Sequence, residues 1–191
     1  MTTLGFIRHG STAWNKEGRI QGSSDIPLDQ GGLNEAGLLA ERLSSEKWDC
    51  LYASPLLRAR QTAEVIAGRL GIGEIHFDPR LREVSFGQIE GTIESERIAK
   101  WGTEWRNLDL GFEKYEAVLD RGLAALADIQ DANPGKNVLI ISHGAFIRKI
   151  LLELVPHLDK EAPLNNTAVT IVTQSNEIWE CGLYNCTKHL K

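Results

Sequence analysis

Val138–Ile141 sets four β-prone apolar residues in a row. A strand that is apolar without alternation is buried on both faces, which demands a layer of helices on each side of its sheet. The rest of the chain can supply both layers. Leu4–Ile7, Cys50–Ala53 and Glu74–Phe77 read as further strands. Asn34–Leu43 carries Ala36, Leu39, Ala40 and Leu43 on one helical face. Ser54-Pro55 predicts a helix start, with Ser54 as N-cap and Pro55 in the first turn, and Gly71 closes that helix after Leu70. Ile93–Trp105 predicts a charged, Trp-rich helix, and Glu113–Ile129 a second one that Asn133-Pro134-Gly135 breaks. A helix to about Leu154 follows Gly144, and Ala168–Thr173 with Glu177–Leu183 predict a closing hairpin around Gln174-Ser175-Asn176. This alternation predicts a three-layer α/β/α sandwich with a mostly parallel central sheet.

Without internal repeats or linkers, the 191 residues predict one domain spanning residues 1–191. With 21 Lys and Arg against 26 Asp and Glu, the net charge is −5, which argues against general nucleic-acid binding but leaves room for a local anion pocket. No apolar run approaches the roughly 20 residues of a membrane span, and the N-terminus lacks the pattern of a signal peptide. Cys50, Cys181 and Cys186 are odd in number and lack the paired spacing of a zinc site. They read as small side chains in or near the core, in keeping with a reducing cytoplasm.

Two of the strands end alike: Leu4–Ile7 runs into Arg8-His9-Gly10, and Val138–Ile141 into Ser142-His143-Gly144. Ligands of open α/β sheets bind beyond the carboxyl ends of strands, and a glycine there lets backbone approach them closely. One such histidine is ordinarily a turn or core residue, but two in the same context argue for a site. Arg58 falls in the first turn of a helix, against the helix dipole, and a locally unfavourable choice often marks function. Arg8 and Arg58 could grip an anion together, whereas Arg60 and Arg69 read as solvated. Within Leu81–Gly91, either Glu83 or Glu90 could serve as a proton donor, and the residues alone do not choose between them.

Together these segments resemble the histidine phosphatase superfamily, the phosphoglycerate mutase-like family. Arg8-His9-Gly10-Ser11-Thr12-Ala13-Trp14-Asn15 is similar to its signature, and Gly18-Arg19-Ile20-Gln21-Gly22 with Asp25-Ile26-Pro27-Leu28 to the segment after it. Ser54–Ala63, Leu81-Arg82-Glu83 through Gly87 with Glu90-Gly91, Ser142-His143-Gly144 with Ile147-Arg148, and Asn166-Thr167-Ala168-Val169 resemble its later motifs, in the family's order. Many relatives carry Glu where this chain has Ser11 and Trp where it has Ile89. Ser11 removes a carboxylate near the phosphate site and Ile89 changes a pocket wall, so both bear on substrate identity rather than reaction type.

The resemblance implies a phosphoglycerate mutase-like fold and a phosphohistidine mechanism. His9 is the implied nucleophile, with Arg8, Arg58 and His143 around the phosphoryl oxygens and Glu83 as general acid and base. Asn15, Gln21, Gly22 and Gly144 are the implied phosphate- and substrate-binding residues. No metal or other cofactor is implied, because two arginines and a histidine supply the positive charge. Mutases of the family carry extra segments that cover the pocket, and here Glu83 and His143 are only about 60 residues apart. That spacing favours the phosphatase branch, acting on a small phosphate ester, over a primed phosphoglycerate or phosphosugar mutase. A non-catalytic phospho-ligand binder would lack a reactive residue, and none is missing. Residues 92–112 are expected to act as a lid over the pocket, with Trp101, Trp105 and Leu108 packing it onto the body or selecting an apolar leaving group. The protein is expected to be a monomer or homodimer, the latter through the hairpin edge. The tail Cys186–Lys191 is expected to be partly mobile. His76, His157 and His189 sit in no motif and receive no role.

Overall fold

A computed structural model describes residues 2–158, 163–176 and 178–191. Its centre is a six-stranded sheet in the order β3-β2-β4-β1-β5-β6. The strands are β1 (Thr2–Arg8), β2 (Cys50–Ala53), β3 (Ile75–Phe77), β4 (Asn137–Ser142), β5 (Val169–Ser175) and β6 (Ile178–Cys186). The first four run parallel, and β5 and β6 are antiparallel additions at one edge. The helices are α1 (Ala13–Glu17), α2 (Gln30–Leu43), α3 (Leu57–Leu70), α4 (Glu94–Trp101), α5 (Tyr115–Ala132) and α6 (Gly144–Leu154).

The unbroken apolar run does what its composition requires. Val138 and Ile140 pack with Val118, Ile129 and Phe146 from α5 and α6, while Leu139 and Ile141 pack with Leu39, Ala63 and Ile66 from α2 and α3. All four residues of the run are fully buried. Each such side chain stabilises the sandwich by about 1.5–3 kcal/mol.

Several boundaries differ from the sequence reading, each for a physical reason. Helix α2 begins at Gln30, four residues early, because Asp29 caps it by accepting from Gly32 N at 2.8 Å. Helix α3 begins at Leu57, and Ser54 is not its N-cap. The Ser54 N–H instead extends the sheet to Ile141 O (2.9 Å), and Asp25, distant in sequence, accepts from Leu57 N (2.6 Å). The expected helix over Ile93–Trp105 stops at Trp101, where Gly102 takes φ +81°, and a separate 3₁₀ turn covers Trp105–Asn107. The hairpin forms, with β6 running on to Cys186; Glu177 lies outside the described residues. In the tail, Lys188–Leu190 forms a 3₁₀ turn, and Arg42 of α2 bonds both Cys186 O and His189.

Candidate active site

Strands β2, β4 and β1 are neighbours, with Ala53 opposite Ile141 and Ser142 opposite Arg8. One further bond keeps the chain exits level: His9 N donates to Ser142 O at 3.0 Å. The two His-Gly motifs and the start of α3 therefore converge at one end of the sheet.

Arg58 is wholly buried, and only neutral groups hold it. Its Nη1 donates to Ser24 O at 2.7 Å, its Nη2 to Gly22 O at 2.8 Å, and its Nε to His9 Nε2 at 3.3 Å. A guanidinium only donates, so Nε2 of His9 must accept. The imidazole proton then sits on Nδ1, which donates to Gly10 O at 2.7 Å. Burial holds His9 well below the usual imidazole range, and the Arg58 and Arg8 charges push the same way against the Gly10 bond. Burial likewise lowers Arg8, and it brings Arg58 down to about 10.

His143 is also fully buried, its ring centre 5.3 Å from that of His9. Its Nε2 meets Ser54 Oγ at 2.7 Å, and that oxygen also accepts from Leu56 N. Ser54 Oγ keeps its proton and a second lone pair for Nε2, so either ring tautomer satisfies this contact. Burial first, then Arg58, His9 and Arg8, hold His143 well below the ordinary imidazole value. His143 Nδ1, Arg8 Nε and Gln21 Oε1 are buried atoms with no hydrogen-bond partner among the described residues.

The two candidate acids separate cleanly. Glu83 is buried at the start of α6, where Oε1 accepts from Val84 N and Phe146 N (2.9 and 2.8 Å) and Oε2 from Ala145 N (3.2 Å). Glu90 instead ties two loops together, accepting from Ser23 N and Phe86 N at 3.0 and 2.9 Å. Gly22, at φ +51°, lies so close that an added Cβ would come within 2.1 Å of Glu90 Oε1. Asn15 uses Oδ1 to accept from Thr12 N and Oγ1, both at 3.1 Å, and its amide nitrogen is the group left to donate.

A cavity of about 290 Å³ opens here. Arg8, His9, Asn15, Gln21, Gly22, Arg58, Glu83 and Gly144 line it, and His143 stands beside His9 without reaching the wall. Sequence reading assigned no role to Arg19, Ile20, Phe86, Ala145, Arg148, Pro163 or Leu164, which complete the lining. Arg19, Ile20, Phe86 and Arg148 sit inside the quoted motifs, so their position was a usable signal; Ala145, Pro163 and Leu164 had none. None of residues 92–112 is among those that line the cavity. Trp105 is buried with Ile89 and Leu110, and Ile20 and Phe86 pack on that cluster while facing the cavity on their other side. The Trp-rich segment thus buttresses a wall. Ser11 and Ile89 stand outside the lining as well.

The model of the histidine phosphatase superfamily (branch 1) matches residues 4–187. An uncharacterized phosphatase PhoE of Bacillus subtilis (strain 168) is 34% identical, with 100% of this chain and 97% of that protein covered. A probable phosphoglycerate mutase GpmB of Photorhabdus laumondii is 34% identical over 94% of this chain and 88% of its own length. The structure of a phosphoserine phosphatase mutant from Entamoeba histolytica, in complex with phosphoserine, is 30% identical, with a TM-score of 0.83 and 100% of both chains covered.

Proposed function

The chain belongs to the histidine phosphatase superfamily, and on that premise we propose that it is a metal-independent phosphomonoester hydrolase for small phosphorylated metabolites. The observation that carries this reading is the state of His9: Nδ1–H is spent on Gly10 O, so Nε2 keeps its lone pair in a ring that stays neutral at pH 7. In the first step Nε2 attacks phosphorus in line, and the bond to the leaving oxygen breaks with its electron pair. Glu83 gives that oxygen a proton. In the second step water attacks the phosphohistidine, Glu83 takes the water's proton, and Nε2 departs. Arg8 and Arg58 stabilise the charge that spreads over the phosphoryl oxygens. The Asn15 amide and Gln21 add neutral donors, His143 packs beside His9, and Gly22 and Gly144 leave room for the group. The cavity volume suits a small ester, and phosphoserine, bound by the Entamoeba relative, is the first natural candidate.

Hydrolysis of p-nitrophenyl phosphate in a metal chelator from pH 5 to 8, wild type against His9→Ala, tests the reading. Chelator-resistant turnover that disappears in His9→Ala supports it. A folded wild type that hydrolyses neither this ester nor phosphoserine, and interconverts phosphoglycerates only with a bisphosphorylated primer, would replace it with the mutase reading.

A further inference from the structure

Asn166 and Thr167 take no part in the chemistry above, yet their geometry is unusual. Thr167 is fully buried at φ +53°, a left-handed conformation that a β-branched residue rarely adopts. Such an outlier persists only where its surroundings over-determine it. Here the Thr167 N–H points at the carbonyl oxygens of Arg8 (2.9 Å) and His9 (3.3 Å). The Asn166 side chain donates to the same His9 oxygen at 2.9 Å and to Asn15 Oδ1 at 3.3 Å. One turn therefore supplies two donors to the peptide carbonyl of His9 and also orients Asn15.

This turn is anchored from the C-terminal tail. Arg42 Nη1 lies 3.3 Å from His189 Nδ1, and because a guanidinium only donates, Nδ1 accepts. The ring proton is then on Nε2, which donates to Thr167 Oγ1 at 3.0 Å. The Thr167 hydroxyl in turn donates a hydrogen bond to Asn166 O at 2.8 Å. The bonds that link Arg42 Nη1, His189, Thr167, Asn166 and His9 all run in one direction.

We propose that His189 is a positioning residue: through Thr167 and Asn166, the C-terminal turn holds the Arg8–His9 backbone where Nε2 can attack. The proposal rests on the phosphohistidine reading, so its test needs one readout that does not depend on turnover. We would compare wild type, His189→Ala, His189→Gln and Asn166→Ala. Two quantities are read: kcat and KM on p-nitrophenyl phosphate, and the ¹³C shift of the His9 carbonyl in the free protein. Gln offers an acceptor and a donor in place of the two ring nitrogens. His189→Ala and Asn166→Ala should each lower kcat about five- to tenfold with KM within about twofold, and move the His9 carbonyl signal. His189→Gln should restore both. An unmoved carbonyl signal, or a folded His189→Ala with wild-type kcat, overturns the proposal. A loss of kcat that Gln does not restore does so too. A wild type without hydrolysis would overturn the phosphatase reading instead, and the carbonyl signal would still decide whether the tail holds His9.

Discussion

Arg58 and Arg97 are both buried helical arginines, and they are held in opposite ways. Arg97, in α4, pairs with Glu94 at 2.9 Å, donates to Thr92 O and stacks on Trp105. Arg58, in α3, is held by two backbone carbonyls and one imidazole, and neither it nor Arg8 makes an ion pair among the described residues. Carbonyl dipoles fix a guanidinium in place without cancelling its charge. An unpaired buried charge is costly, and burial lowers Arg58 to about 10. On the proposed reading, the difference separates a cation that closes a structure from one kept for an anion that arrives from outside. Arg58→Ala should therefore lower kcat by about 10²–10³-fold, and Arg58→Lys should recover little of it, because a point charge cannot serve three fixed acceptors and a phosphoryl group together. Arg97→Ala should leave kcat within about threefold and lower Tm by about 3–8 °C instead. Steady-state kinetics and thermal melts on the same samples decide it, and equal losses of kcat in both would break the comparison.

The carboxylates sharpen the same contrast. Glu83→Gln should lower kcat by about 10²-fold on an alkyl phosphate and much less on p-nitrophenyl phosphate, whose leaving group needs little protonation. Glu90→Gln should act mainly on Tm, because Glu90 joins the loops that carry Gly22 and Phe86. A loss that does not depend on the leaving group in Glu83→Gln would assign Glu83 to loop support as well.

Much of this was legible in the residues because it is local. The unbroken run at Val138–Ile141 announced a doubly covered sheet, and the paired His-Gly endings marked the candidate site before any geometry was known. Arg58 was visible through its conflict with the helix dipole. What escaped is long-range. Asp25 caps α3 from more than thirty residues upstream, a partnership no window around Ser54-Pro55 contains. The residues alone left Glu83 and Glu90 open and the family resemblance pointed to Glu83, but only packing reveals that Glu83 faces the start of α6 and that Glu90 clamps two loops. His189 looked featureless because its partners, Arg42 and Thr167, are distant in the chain.

The buried histidines extend the comparison to acid. His9 and His143 lie well below 6.5 in the fold, and His189 lies at about 4, through burial and then Arg42. Between pH 6.5 and 5 the unfolded chain takes up protons on these rings that the native protein excludes. Stability therefore falls as pH drops below about 6.5, by up to about 1.4 kcal/mol per pH unit for each excluded proton. Below about pH 4 His189 stops contributing to that slope. Urea melts at pH 7, 6 and 5 check this, and a flat midpoint would mean that the rings protonate within the fold. The acid limb of kcat/KM should also lie below pH 6.5, because His9 stays neutral there.

The smallest effect is expected at Arg106, and its smallness is informative. Its guanidinium pairs with Glu94 at 2.9 Å and stacks on the same Trp105 ring as Arg97, yet its side chain is 64% exposed. Water screens such a pair, so its removal costs little. Arg106→Ala should move Tm by no more than a degree or two and leave kcat and KM on p-nitrophenyl phosphate unchanged, because no residue of 92–112 lines the cavity. A severalfold rise in KM would instead place this segment over the substrate during turnover. The Trp-rich region would then act as a closing element, and the contrast between an ion-paired outer layer and a charge-bearing site would have to be redrawn.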